Sequence, residues 1–431
     1  MDVRVDESRG DQSAARVELR VDDAEGLAHV AARADRHDLP VADADGIAAE
    51  HLTGREEDAV GEEKAAHRSS VAKRCPTRRR NASDASAIVP RMQAITYTRT
   101  GDSSVLTLVE RATPSPGPGE VRVRIAVSGV NPTDWKAREG GRPFSFSEVT
   151  PNQDGAGTVD AIGEGVTSPK VGQRVWVYLA QHERPTGTAA EFAVVPAERA
   201  VPLADAASFA LGASLGVPAM TAHRALTVHE HGPSRLGPGA LAGRTVLVQG
   251  GAGAVGHAAI QLAVWAGATV VATVSSDEKE ALARAAGAHH VLQYPSETLA
   301  AGIRDLAPNG VDHIVEVAIA DNAGLDVEVI ANHGSIGYYA DNGGDSFTAA
   351  VRASFAKNVR WQGLLLYTVG DEALAAAAED VSAAVADGAL PVGDAAGLPL
   401  TWYPLAETAD AHDAVANGAT GKVLIRVTDE D

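Results

Sequence analysis

Residues 246–279 read VLVQGGAGAVGHAAIQLAVWAGATVVATVSSDEK, and the fold of the chain is decided there. A short apolar strand beginning at Thr245 runs into Gly251, Gly253 and Gly256, spaced G-x-G-x-x-G. Ala254 and Val255 then open a helical run, and a second apolar strand ends at Val274. In that context the first glycine permits a tight turn and the second lets backbone approach a pyrophosphate. The third lets the helix pack on the strand. A glycine triplet alone is weak evidence, but the flanking strand, helix and second strand are all legible here, so the stretch is read as a dinucleotide site.

The end of the second strand states which dinucleotide. An NAD site places Asp or Glu about 20 residues past the glycines to accept the ribose hydroxyls. This chain has Ser275 and Ser276, followed by Lys279. Two hydroxyls and a cation suit a 2′-phosphate, which an acidic acceptor would repel, so NADPH is the expected cofactor. Asp277 and Glu278 stand against that reading.

Outward from this stretch, short apolar runs alternate with alanine-rich helical ones. They continue through HVLQY at His290, DHIVEV at Asp312, GSIGYY at Gly334 and VRWQGLLLY at Val359. Strands alternating with helices imply a doubly wound parallel Rossmann sheet, assigned to residues 217–370. Before it, VRVRIAV at Val121 alternates with period two and glycines and prolines punctuate the chain, as in an antiparallel barrel. That domain is assigned residues 92–216, and 371–431 return to it through KVLIRV at Lys422. The fold class is therefore α/β, a Rossmann sheet plus an antiparallel, β-barrel-like domain.

Residues 1–91 lack Phe, Trp and Tyr altogether. Such a segment buries little and is expected to be disordered, or to be a mis-assigned extension ahead of Met92. A net charge of −20 disfavours nucleic acid and anionic membranes as partners. Lysine is scarce beside arginine, Asp and Glu, which fits either a halophilic surface or GC-rich codon usage. No window approaches the roughly 18 apolar residues of a membrane span and no signal pattern opens the chain, so a soluble cytoplasmic protein is expected. Cys75 is the lone cysteine, so no thiolate cluster can hold a metal. His289 with His290, and His229 with His231, do not carry ligand spacing in a convincing context, and no metal site is assigned.

Residues 92–427 resemble the zinc-independent medium-chain dehydrogenase/reductases, the quinone oxidoreductase or zeta-crystallin-like group with a GroES-like catalytic domain. The resemblance rests on SGVNPTDWKAREG (128–140), NQDGAGTVDAIGEGVTSPKVGQRVWVY (152–178), GTAAEFAVVPAERAVPL (187–203), the glycine segment and GKVLIRV. Zinc alcohol dehydrogenases carry C-x-T-D where this chain has residues 131–134, NPTD, and G-H-E where it has 152–154, NQD. Both metal ligands are missing, so the resemblance implies hydride transfer without a Lewis acid. By family position Asn131 lies near the nicotinamide ribose and substrate, Thr221 beside the nicotinamide and Tyr294 by the adenine. Lys422, with Asn417 nearby, lies by the cofactor phosphates or closes the cleft. Trp135 and Tyr178 are added as apolar pocket walls.

Quinones and activated enones suit such a site, because they accept hydride at carbon while charge moves to oxygen. No catalytic residue is assigned. A broader aldehyde or ketone reductase remains open, as does a non-catalytic NADPH-binding sensor or structural protein. An enoyl-thioester reductase is weakened, because the G-x-Y-P tyrosine of that branch is replaced by 140–143, GGRP. The resemblance also implies a homodimer paired through the strand near Val359 to Tyr367, whose LLLY run would make an unusually apolar sheet edge.

Overall fold

The computed structural model describes residues 90–141, 144–294 and 296–428. The expectations for 1–89 lie outside these residues. The described chain enters its first strand, β1 (Arg91–Thr96), one residue ahead of Met92, and pairs it antiparallel with β2 (Thr107–Ala112).

The alternating stretch VRVRIAV becomes β3 (Glu120–Val130), the longest strand and the spine of the first large sheet. β4 (Asp154–Ile162), β5 (Arg174–Val177), β6 (Phe192–Pro196) and β7 (Ala200–Pro202) follow. The alternation has the cause expected of it. Val121, Val123 and Ile125 are fully buried against Val159, Val175 and Val195, while Arg122 turns to the other face and grips Asp160 at 2.8 Å.

β8 (Thr245–Val248), β9 (Thr269–Val274), β10 (His290–Gln293), β11 (Val311–Glu316), β12 (Ile330–Tyr338) and β13 (Arg360–Gly363) form the second sheet. Its order is β10-β9-β8-β11-β12-β13 and every pair is parallel. β8 shows why such strands read as unbroken apolar runs: Leu247 packs into one core and Val246 and Val248 into another, on the opposite face. The order reverses between β8 and β11. A crevice therefore opens at their carboxyl ends, where open α/β sheets bind ligands.

The tail adds β14 (Leu400–Pro404) and β15 (Lys422–Arg426) to the first large sheet, with β15 antiparallel to β3. β14 and the helix Thr408–Ala416 were not legible in advance. β14, LTWYP, is largely exposed and ends in proline, so it carries no buried period. The LLLY run departs from its expected role as a sheet edge. β13 stops at Gly363, Leu364 and Leu366 turn inward, and only Leu365 is exposed. No helix among the described residues is long and apolar enough to cross a membrane.

Three of the buried histidines are expected to make the fold acid-sensitive. Burial lowers His257 to about 4, and His313 and His412 to about 3. Unfolded histidine titrates near 6.5, so these groups contribute stability that is complete above about pH 6.5 and lost as pH falls towards 3. Each proton taken up only by the unfolded chain costs about 1.4 kcal/mol per pH unit. The melting temperature is expected to fall steeply from pH 6.5 to pH 4.5. His313, with both ring nitrogens unpartnered, should yield a shallower slope when changed to Phe. An unaltered slope in His313→Phe would contradict this assignment.

Candidate functional site

The crevice is a cleft of about 1240 Å3 whose lining comes from both large sheets and their connections. One wall is the glycine turn, with Gly250, Gly253, Ala254 and Val255; the other includes Asn131, Trp135, Thr221 and Lys422. An isolated bridge between Gly253 and Gly421 joins the two walls directly.

The glycine turn differs in detail from its sequence reading. The left-handed residue is Gly250, at φ 70°, one position ahead of the triplet. Gly251 is a packing glycine, since a Cβ there would lie 3.0 Å from the Ala272 Cβ and 3.1 Å from the Ile260 Cδ1. Gly256 lets the helix approach the turn, because a Cβ would fall 2.3 Å from the Gly250 carbonyl oxygen. Gly253 is the open one, with nothing nearer than that same oxygen at 3.5 Å. It is the N-cap of helix Ala254–Trp265, has no side-chain cap and is followed by no acid in the first turn. The first N–H groups of this helix are thus left for an anion. The turn is held from behind by buried Gln249, which accepts a hydrogen bond from the Thr273 hydroxyl and donates to the Asp326 Oδ1 at 3.1 Å.

The opposite wall is organised by a residue that the sequence reading passed over. Asp154, the first residue of β4, is 0% exposed. Its carboxylate accepts from the Asn131 Nδ2 at 2.7 Å and from the Val217 N–H at 3.0 Å, and lies 3.8 Å from the Lys422 ammonium. It thereby serves the N-terminus of helix Gly216–Leu226, on which Thr221 sits. A Cβ on Gly216 would lie 2.1 Å from the Asp154 Oδ1, so only glycine permits the approach. Lys422 donates to the Asn131 Oδ1 at 2.6 Å and to the Val130 carbonyl at 3.2 Å. Burial pushes the Asp154 carboxyl up and the Lys422 ammonium down from their usual values, and each charge opposes the other's shift.

Two further contacts cross the cleft: Tyr367 donates to the Thr133 hydroxyl at 3.0 Å, and Lys136 pairs with Asp341. Sequence gave no signal for these, because each joins segments remote along the chain.

At the carboxyl end of β9, Lys279 donates to the Ser275 hydroxyl at 3.1 Å and Ser276 caps the helix Asp277–Ala285. Asp277, which weighed against a phosphate, accepts from the Gln293 amide at 2.7 Å. Tyr294, half-exposed, follows β10 next to this end of the sheet. Ser275, Ser276, Lys279 and Tyr294 form a group apart from the cleft that Asn131, Trp135 and Thr221 line.

Three expected residues fall differently. Tyr178 does not line the cleft; it is 3% exposed, packs 5.7 Å from the Trp176 ring and donates to the Glu198 carbonyl, because its position just after β5 points it into the core. Asn417 is exposed at the end of helix Thr408–Ala416 and is not among the lining residues. Lys422 borders the cleft, but its charge is directed inward because a buried ammonium needs its carboxylate.

A GroES-like sheet and a Rossmann sheet sharing one cleft define a nicotinamide-cofactor oxidoreductase of two-domain build. Residues 117–205 match the family model described as alcohol dehydrogenase GroES-like domain, and 254–383 the one described as zinc-binding dehydrogenase. The Rattus norvegicus quinone oxidoreductase is 30% identical over 342 residues, 78% of this chain and 97% of that protein. The Homo sapiens quinone oxidoreductase is 28% identical over 341 residues, with the same coverage of 78% and 97%. A mycobacterial protein solved in complex with NADPH is similar with a TM-score of 0.66 at 29% identity, covering 78% of this chain and 100% of that one. The quinone oxidoreductase of Pseudomonas syringae pv. Tomato DC3000 gives 0.66 at 27% identity, again over 78% and 100%. The chain belongs to the medium-chain dehydrogenase/reductase family, in its quinone oxidoreductase group, and is an oxidoreductase.

The family includes zinc enzymes, and the residues here do not fit that ion. Asn131 is committed to Lys422 and Asp154, and Gln153 exchanges hydrogen bonds with Gln181 at 3.0 and 3.2 Å. An ammonium already sits beside the carboxylate, and a second cation there would be repelled. Among the described residues no group of three His, Cys, Asp or Glu could hold a metal.

Removing one member of the buried pair should cost more than removing both. Lys422→Met is expected to lower unfolding free energy by ~3–5 kcal/mol, since it strands the Asp154 charge. Lys422→Met with Asp154→Asn is expected to recover part of that loss. Urea unfolding measures both, and wild-type stability in Lys422→Met would contradict the pairing.

Proposed function

We propose that the protein is a metal-independent, NADPH-dependent reductase of quinones and carbonyl-conjugated alkenes, acting in the cytoplasm as a homodimer. The observation that carries this reading is the cleft itself. The uncapped helix N-terminus at Gly253 and the buried Asn131 carboxamide border one cavity, which Thr221 and Trp135 also line. When bound, the reduced nicotinamide supplies a hydride.

The chain's own residues divide the remaining work. The N–H groups opening helix Ala254–Trp265 hold the pyrophosphate, with Gly251 and Gly256 keeping the turn tight behind them. Ser275, Ser276 and Lys279 hold the 2′-phosphate, with one oxygen of Asp277 engaged by the Gln293 amide. Tyr294 covers the adenine. Thr221 and Asn131 hold the nicotinamide end, Trp135 gives an apolar wall, and Asn417 stays at the rim. An acceptor that takes hydride at carbon gains charge on oxygen, and a fixed hydrogen-bond donor lowers that barrier without a metal. Relatives called quinone oxidoreductases support this class of acceptor.

Steady-state oxidation of NADPH over a panel of quinones, enones and aldehydes tests the reading. Quinones or enones are expected to turn over fastest, and a preference for aldehydes would contradict it. Lys279→Ala removes a charge-assisted contact worth roughly 1.5–3 kcal/mol, so the NADPH KM should rise about ten- to hundredfold while NADH is nearly untouched. An equal effect on both cofactors would make Lys279 a surface lysine only. A dimer is expected to pair through β13, the last strand of its sheet. Light scattering that finds a monomer at micromolar concentration would exclude it.

A further inference from the structure

We propose that Lys422 and Asp154 are positioning residues, which lock the Asn131 carboxamide so that its free N–H donates to the acceptor oxygen that gains charge. This rests on the hydride-transfer reading above, and deepens it by assigning the donor.

The locking follows from counting hydrogen bonds. The Asn131 Oδ1 accepts from the Lys422 ammonium at 2.6 Å, and its Nδ2 donates to the Asp154 carboxylate at 2.7 Å. A carboxamide has two N–H donors and two lone pairs, so one of each remains. An unrestrained Asn interchanges its oxygen and nitrogen by a half-turn. Here that turn would set an NH2 group against an ammonium and a carbonyl oxygen against a carboxylate, two repulsive contacts replacing two strong ones. The backbone is fixed as well, because the Asn131 N–H donates to the Asp134 Oδ2 at 2.7 Å and Pro132 follows. Asn131 is 2% exposed and is one of the residues that line the cleft.

The same count removes Lys422 itself from direct contact with ligand. Two of its N–H bonds are spent on the Asn131 Oδ1 and the Val130 carbonyl, and its charge is held inward by the Asp154 carboxylate 3.8 Å away. The ammonium acts only through the carboxamide, where its pull on the Oδ1 strengthens the remaining N–H as a donor. The phosphate role that the family position implied for Lys422 is thereby replaced.

The test uses the full chain, with kcat and KM for a quinone from turnover and the NADPH Kd from fluorescence quenching. The variants are Asn131→Ala, the charge-neutral pair Asp154→Asn with Lys422→Met, and all three changes together. Asn131→Ala should lower kcat by about a hundredfold, the loss seen when a single oxyanion donor is removed. The charge-neutral pair should lower kcat comparably, with the NADPH Kd changed by less than about threefold. Because both act through one amide, the triple variant should be no slower than Asn131→Ala.

A charge-neutral pair that keeps wild-type kcat overturns the inference, as does a triple variant slower than Asn131→Ala by the full second factor. So does a large rise in NADPH Kd at retained kcat, which would restore the phosphate role. Melting curves establish that each variant is folded. Should the charge-neutral pair fail to fold, Asp154→Asn with Lys422→Gln carries the test: it also removes both charges and leaves a polar group at each position to satisfy the other. A fall in kcat at constant NADPH Kd supports the inference, and the converse split overturns it. Wild-type protein without turnover on any acceptor would sink the proposed function as well, whereas an active wild type with an unchanged charge-neutral pair sinks this inference alone.

Discussion

A carboxylate taken wholly out of water has to be compensated from every side, and Asp154 imposes that demand on four parts of the chain. It starts β4, it draws in Asn131 at the end of β3, it receives the first turn of helix Gly216–Leu226, and it faces Lys422 at the start of β15. These are the elements that carry the wall of the cleft opposite the glycine turn. Gly216 can be nothing larger because the carboxylate fills the space its Cβ would take. One charge pair therefore sets how the helix bearing Thr221 meets the sheet bearing Asn131. The bridge from Gly421 to Gly253 extends that control to the cofactor side.

The Rossmann half was legible because its physics is local. Strands covered on both faces become continuous apolar runs, and the glycines that a tight turn requires stand next to one another. Even there the roles shifted by a residue, since the left-handed position is Gly250 and Gly251 serves packing. The spine of the barrel was legible for the complementary reason, that VRVRIAV has one buried face. The Asp154 cluster was not legible. Residues 152–154, NQD, were read only for the metal ligand they lack, and the partners of Asp154, namely Asn131, Val217 and Lys422, meet it only after folding. The resemblance implied a site role for Lys422, but the direction of its charge depends on Asp154 and could not be read from GKVLIRV. Tyr178 was misplaced because an aromatic just beyond a strand can face either way, and here the Trp176 side of the core took it.

The two ends of the site rest on different electrostatics. At β9 the groups are partly exposed, so the Ser275 and Lys279 pair works in water and its effect falls with salt. Beneath the cleft the charges are sealed, and salt does not reach them. In the proposed function, cofactor choice would rest on a soft, screened contact and donor placement on a rigid, buried one. Asn131 is the link between the buried pair and the cleft, as it is both a member of that cluster and part of the cleft wall.

The central claim is that an amide fixed by a buried ion pair, and not a metal, assists hydride transfer in this cleft. The most direct measurement is steady-state NADPH oxidation by a quinone before and after exhaustive chelation of the full chain. The rate is expected to be the same in both. A rate lost on chelation and restored by zinc would contradict the claim, and would require the Asn131, Gln153 and Asp154 side chains to leave their present partners.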